Sequence, residues 1–269
     1  MPELPEMETY RRLLQERICG PEITGTQVTR EKTINLAQDA FAHVLRGNRL
    51  TRIERRGKHL LFMLQTDHLL LLHLMLGGFL YWGTREDKLD RTAQVTISFG
   101  ERILYFHGLR LGYLHLLTTA EADRRLAGLG PEPLAPAFDT VQFSRLLSAK
   151  RGVLKTALVD QHWLAGIGNC YADEICFDAG ILPTRKIPEL TDMEKNRLYH
   201  SMQSVLREAM TYGGYMEIPL CQGDRLTGGY NDRCRVYDRE GEPCPRCGHA
   251  IAKSELSSRK VFFCTNCQT

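Results

Sequence analysis

No stretch of the sequence approaches eighteen uninterrupted apolar residues, so no membrane-spanning helix is indicated. The opening residues also lack a basic segment followed by an apolar one, which argues against a secretory leader; a cytosolic protein is expected. A strong excess of one charge is missing too. With 35 Lys and Arg against 32 Asp and Glu, the net charge of +3 permits nucleic-acid binding without arguing for it. Of the nine cysteines, Cys19, Cys170, Cys176, Cys221 and Cys234 show no pairing pattern, as expected of reduced thiols in a cytosolic protein. What is present is ordinary in composition, 43% hydrophobic and 25% charged. At 269 residues the chain is too long for one small core, and two domains with a small appendage are expected.

The other four cysteines lie in CPRCGHAIAKSELSSRKVFFCTNCQT. Cys244 and Cys247 form one C-x-x-C knuckle, Cys264 and Cys267 another, and the 16 residues between them suit a four-thiolate zinc site. A redox dithiol pair or two disulfides are the alternatives, and a reducing compartment together with the doubled motif favours metal. A closed set of four thiolates leaves no open coordination position, so one structural Zn2+ is expected. The run KSELSSRKVFF between the knuckles reads as a hairpin with Arg259 near its tip, placed either against a phosphate or simply in solvent.

Short apolar runs crowd the N-terminal half: ITGTQVTR, LTRIERRG, HLLFMLQ, HLLLLHLML, FLYW, AQVTISF, RILYFHG and GYLHLL. Their length and spacing suggest a β-sandwich or barrel. PEMETYRRLLQERI has helical periodicity, so a helix precedes the sheet and MPELPE is its start. Around Pro131, Pro133 and Pro136 the texture breaks into a linker. Helical segments follow: TVQFSRLLSAK, LKTALVDQHWLAG, NCYADEICFDAG and DMEKNRLYHSMQSVLREAMTYG. The second and third are joined by GIGN, a tight turn with Asn169 placed to cap the next helix. Such a turn could seat a phosphate or be an ordinary αα-hairpin.

Taken together, MPELPE, RRGKHLLF at 55–62, GIGNCYADEI at 166–175 and the double knuckle resemble the formamidopyrimidine-DNA glycosylase and endonuclease VIII family of base-excision repair enzymes. The likeness runs over nearly the whole chain with the motifs in the family's order. It implies an α+β protein: an N-terminal helix and β-sandwich domain over 1–127, a linker over 128–137, a helix–two-turns–helix domain over 138–235 and a four-cysteine zinc-finger hairpin over 236–269. It further implies a bifunctional glycosylase and abasic-site lyase acting as a monomer on damaged double-stranded DNA, in the bacterial cytosol or nucleoid and without membrane attachment. A paralogue that binds damaged or abasic DNA with weak excision, or none, is the alternative.

By the same resemblance Met1 is removed and Pro2 becomes a nucleophilic secondary amine. A terminal amine has an ordinary pKa near 8, which leaves a useful neutral fraction near pH 7. Glu3 is the matching general acid and base, whereas Glu6 is read as either a helix cap or a catalytic group. Lys58 reaches a phosphate beside the lesion, although taken alone it reads first as a snorkelling strand-end lysine. His73, Lys155, Asn169 and Arg259 are implied DNA contacts. Leu76 and Arg110 fall at positions that fill the gap left by an extruded nucleotide. Two departures concern lesion choice: HLMLGG places Leu76 where part of the family has a wedge Met, and HGLRLG places Leu111 where an aromatic belongs. Residues 212–238, with their glycines, sit where the family has a mobile lesion-sensing loop, or are a simple connector.

Overall fold

Helix α1, Leu4–Ile18, begins where its chemistry allows. Pro5 occupies the first turn, where an N–H would lack a partner anyway, and Glu3 and Glu6 form a reciprocal capping box. Met7, Tyr10, Leu14 and Ile18 recur at helical spacing and are buried against a β-sandwich. The computed structural model describes every residue except Lys88 and Asp90.

After α1 come β1 (Gly25–Val28), α2 (Gln38–Leu45), β2 (Leu50–Arg56), β3 (His59–Leu64), β4 (His68–His73), β5 (Phe79–Gly83), β6 (Ala93–Phe99), β7 (Arg102–His107), β8 (Tyr113–Thr118) and α3 (Thr119–Leu126). The strands form two antiparallel four-stranded sheets, ordered β2-β3-β4-β8 and β1-β6-β7-β5. Leu60, Phe62, Leu70, Leu72 and Leu114 from one sheet meet Leu80, Val95, Ile97, Leu104 and Phe106 from the other in a single core. β3 and β4 are also buried on their outer face, through Leu61, Met63, Leu69 and Leu71. Helix α3 packs there against β4 and β8. That explains why these strands read as continuous apolar runs and not as alternating ones.

The second part holds α4 (Thr140–Ala149), α5 (Leu154–Leu158), α6 (Asn169–Ala179), α7 (Asp192–Thr211) and the hairpin β9 (Ala252–Leu256) with β10 (Arg259–Phe263). Nearly every residue of α6 is buried, among them two adjacent carboxylates, Asp173 and Glu174. Asp173 accepts from Lys155 Nζ with both oxygens at 2.7 Å and from the Phe262 N–H at 3.1 Å. Glu174 accepts from the N–H groups of Arg235, Val236 and Tyr237. One helix therefore holds both the hairpin and the segment leading to it through charge-assisted bonds.

The chain divides into two compact units, Met1–Gly128 with Met216–Gly229, and Leu129–Tyr215 with Tyr230–Thr269. Three expectations change. Segment 128–137 is no linker beyond its first residue: Gly130 donates to Gln161 O, Pro131 O accepts from Ala165, and Phe138 lies in the helical core. Residues 216–229 leave the helical domain for the sandwich, where Leu220 is fully buried and its carbonyl accepts from the Trp82 N–H at 2.6 Å. Asp224 organises this segment by accepting from Leu220 N, Leu226 N, Thr227 N and Thr227 Oγ1, so it is a built turn and not a bare loop. Finally, α5 stops at Leu158 instead of running on through Trp163, because Asp160 Oδ1 captures the His162 N–H and Gln161 bonds Gly166 N, Val159 O and Ile167 O.

Lys155 is 1% exposed, and its third bond goes to Lys260 O at 2.6 Å. Burial pushes Asp173 up to about 7 against the opposing pull of this lysine. Lys155→Met strands the carboxylate and should cost about 3–5 kcal/mol. Lys155→Met/Asp173→Leu should lose less. Thermal unfolding of the two variants checks this, and a double variant no better than the single one would refute it.

Candidate active site and metal centre

Although the chain's first residues belong to a terminus, they are buried. Pro2 is buried, and Glu3 and Glu6 are each 2% exposed. Glu6 Oε2 accepts the Glu3 N–H at 2.8 Å, and Glu3 O accepts from the Met7 N–H at 3.0 Å. Of the two readings open for Glu6, the structure supplies the cap. Its effect is to hold Glu3, and Pro2 before it, in one place at the positive end of α1.

Lys58 occupies the tip of the β2–β3 hairpin, a two-residue turn made with Gly57. The turn needs a left-handed residue at its first position, and Gly57 supplies it with φ 55°. Hairpin tips are normally wet, yet Lys58 is only 4% exposed. Its carbonyl accepts from His73 Nδ1 at 3.2 Å. Since a carbonyl can only accept, Nδ1 carries the hydrogen and the neutral ring leaves Nε2 as an acceptor. His73 stacks on His59 with centroids 4.3 Å apart, His59 Nε2 lies 3.2 Å from Tyr113 Oη, and Tyr113 stacks on His115 beneath the Arg125 guanidinium. Burial, reinforced by His73, depresses His59 to about 3; burial and the nearby Lys58 charge also lower His73. Neither His59 nor Tyr113 was anticipated. The register His59↔His73↔Tyr113 across three strands is what brings them together.

Two glycine-rich loops, 74–78 and 108–112, run against each other. A Cβ on Gly108 would lie 2.0 Å from Gly77 O, and one on Gly112 would lie 2.3 Å from His73 O, so only glycine permits the approach. Met75 takes φ 53°, which costs about 1 kcal/mol or more for a non-glycine residue. Leu76 and Leu111 are thereby displayed, each 65% exposed, with Arg110 exposed beside them.

In the second unit the N-cap of α6 is Gly168, not Asn169. Asn169 begins the helix, half-buried, with an Oδ1 that has no hydrogen-bond partner. Arg259 is exposed at the start of β10, next to a tip at which Ser257 and Ser258 both adopt positive φ. Lys150, Arg151, Thr156, Asp160 and Arg259 line a cavity of about 450 Å3 in this unit. The DNA contact expected of Lys155 is corrected here. All three of its N–H groups are committed inside the protein, and it supports the strand that carries Arg259.

The four Sγ atoms of Cys244, Cys247, Cys264 and Cys267 lie within 4.8 Å of one another. Cys247 and Cys264 are 3.5 Å apart, and Cys244 and Cys267 3.8 Å apart. A tetrahedron with Zn–S of about 2.3 Å has edges of roughly 3.8 Å, so the donor set fits zinc and is far too open for disulfides. Zinc bound there closes the 16-residue span between knuckles and fixes the hairpin bearing Arg259.

Three family models match the chain in order: the formamidopyrimidine-DNA glycosylase N-terminal domain over residues 1–114, the formamidopyrimidine-DNA glycosylase H2TH domain over 129–217, and the zinc finger found in FPG and IleRS over 241–269. A formamidopyrimidine-DNA glycosylase of Listeria innocua is 35% identical over 273 residues, covering 100% of both chains. Lactococcus lactis Fpg in complex with DNA containing N7-benzyl-Fapy-dG superposes with a TM-score of 0.91 at 30% identity, over 99% of each chain. The same enzyme bound to DNA containing an oxidised pyrimidine gives 0.91 at 30% identity, also over 99% of each chain.

The histidine stack has a consequence for stability. Unfolded, each histidine takes up a proton near pH 6.5; folded, His59 stays neutral to about pH 3. The unfolded state therefore binds more protons below pH 6.5, and stability falls as pH falls, by about 2 kcal/mol at pH 5 for His59 alone. Melting temperature should drop between pH 7 and 5, and His59→Gln should flatten that slope. An equal slope in the variant would refute the assignment.

Proposed function

The chain belongs to the formamidopyrimidine-DNA glycosylase family, and we propose that it excises oxidised bases from duplex DNA and then cleaves the abasic strand, with Pro2 as the nucleophile. The observation that carries this reading is the burial of Pro2 and Glu3 at a capped helix start, where a terminus ordinarily frays. Once Met1 is removed, the Pro2 nitrogen is a secondary amine. It attacks C1′ of the damaged nucleotide, forming an N–C1′ bond as the glycosidic bond breaks and the base departs with a proton. Glu3 protonates the opening sugar ring, leaving an iminium ion. That cation withdraws electrons from C2′, whose proton is lost to a base as the 3′ phosphate departs; a second elimination releases the 5′ phosphate.

Lys58 holds the phosphate at the reacting nucleotide and offsets charge that develops on the leaving oxygen. Asn169 and Arg259 supply further phosphate contacts, donated by an amide and by a guanidinium suited to bidentate binding. His73 can donate to a phosphate through Nε2 only when doubly protonated, because its Nδ1 hydrogen is held by Lys58 O. Leu76 and Leu111 fill the gap left by the extruded nucleotide, and Arg110 meets the orphaned base. The Lactococcus enzyme has been seen with both a formamidopyrimidine and an oxidised pyrimidine lesion, and we assign the same broad class, oxidised bases, to this chain. We assign it to the cytosol or nucleoid as a monomer; among the described residues no helix is long and apolar enough to cross a membrane.

Borohydride trapping on lesion-bearing and abasic duplexes tests this reading. A covalent adduct is expected with both, and it should vanish when an N-terminal extension turns the Pro2 nitrogen into an amide. Trapping on abasic DNA alone would leave a lyase without glycosylase activity. Salt-dependent binding without any adduct would instead make the protein a damaged-DNA binder. Leu111→Phe restores an aromatic beside Arg110 and should sharpen the choice of opposite base by about 1 kcal/mol, roughly fivefold in relative excision rate.

A further inference from the structure

The two carbonyls at the tip of the β2–β3 hairpin are both held by side chains. His73 donates to Lys58 O, and Arg55 Nη1 donates to Gly57 O at 3.1 Å. The same guanidinium reaches α1, its Nε 3.1 Å from Glu8 Oε2, while Glu8 Oε1 receives Arg11 from the next turn at 2.7–2.8 Å. The Arg55 and Glu8 side chains are only 11% and 17% exposed, so solvent screens this pair less than a surface one.

We propose that Arg55 and Glu8 are positioning residues, a brace that fixes the Gly57–Lys58 turn relative to the N-terminal end of α1, where Pro2 and Glu3 sit. The proposal rests on Lys58 acting at the reacting phosphate. A two-residue turn with glycine at its first position is easily re-oriented, because the peptide after Gly57 can rotate at little steric cost. Holding Gly57 O from a side chain anchored on α1 removes that freedom. A guanidinium suits the task, since its planar fork reaches a carbonyl with one edge and a carboxylate with another; an ammonium presents a single point. The brace therefore ties two pieces of the site, 47 residues apart at Glu8 and Arg55, into one geometry.

Single-turnover excision on a lesion duplex, with melting temperature as the folding control, tests this in Arg55→Met, Arg55→Lys, Glu8→Gln, Lys58→Met and Arg55→Met/Lys58→Met. Arg55→Met should lower the single-turnover rate constant about 10- to 100-fold with the half-saturating enzyme concentration little changed, the penalty of an ångström-scale misplacement. Arg55→Lys should recover only part of that loss. Glu8→Gln keeps the guanidinium on Gly57 O and should lose about two- to tenfold; it serves as the test if Arg55→Met melts below assay temperature. Because Arg55 acts through Lys58, its substitution should add less than about twofold in the Lys58→Met background. Unchanged turnover in Arg55→Met and Glu8→Gln, with Lys58→Met impaired, overturns the brace alone. So does an undiminished Arg55 effect in the double variant. Wild-type turnover in Lys58→Met overturns the role of Lys58 and the brace with it.

Discussion

A charge removed from water is stable only beside groups that replace its hydration, and the protein is organised around several such charges. Glu3, Glu6, Lys58, Lys155, Asp173 and Glu174 are all at most 4% exposed. In the second unit the consequence is architectural. Asp173 and Glu174 stand side by side on α6, and one takes Lys155 and the Phe262 N–H while the other takes three successive N–H groups. In the first unit the consequence is an ordered terminus, because the buried Glu3–Glu6 box holds Glu3, and Pro2 before it, at the start of α1. The same requirement thus yields a hairpin support in one unit and an ordered terminus in the other.

Backbone geometry does the complementary work of exposing the side chains assigned to DNA. Gly57 and Gly77 take left-handed turns at little cost, Gly108 and Gly112 permit an approach that a Cβ would forbid, and Met75, Ser257 and Ser258 accept left-handed conformations without being glycine. Such strain persists only where the surroundings over-determine the backbone. It lies beside Leu76, Leu111 and Arg259, the side chains held out into solvent.

Much of this was legible in the sequence, and what was not has a common cause. All eight sandwich strands appear as short apolar runs, α1, α4 and α7 as helical periods, and the metal site as spacing alone, because each depends on neighbours along the chain. Helices α2 and α3 escape the sequence reading because each spans only eight residues, although Thr118 and Glu121 do form a capping box. The early end of α5 is set by side chains of Asp160 and Gln161 folding back onto backbone. Lys155 looked like a DNA contact because nothing local says that its partner is Asp173, eighteen residues on. Likewise Arg55 lies inside the RRGKHLLF motif, but its role comes from Glu8, far upstream. Non-local polar pairing is what a one-dimensional reading misses.

This also explains why the sequence speaks more clearly about how a nucleotide is attacked than about which nucleotide it is. The groups assigned to attack are buried, so replacing one disturbs the interior and destabilises the fold. The groups assigned to reading the duplex are exposed: Leu76, Arg110 and Leu111 project from loops whose shape is fixed by glycines and not by those side chains. An exchange of Phe for Leu at position 111 costs the fold little, since an exposed side chain contributes little packing. Chemistry is therefore tied to stability in this scaffold and lesion choice is largely released from it, which is how HLMLGG and HGLRLG can depart from the family's pattern while MPELPE and RRGKHLLF keep to it.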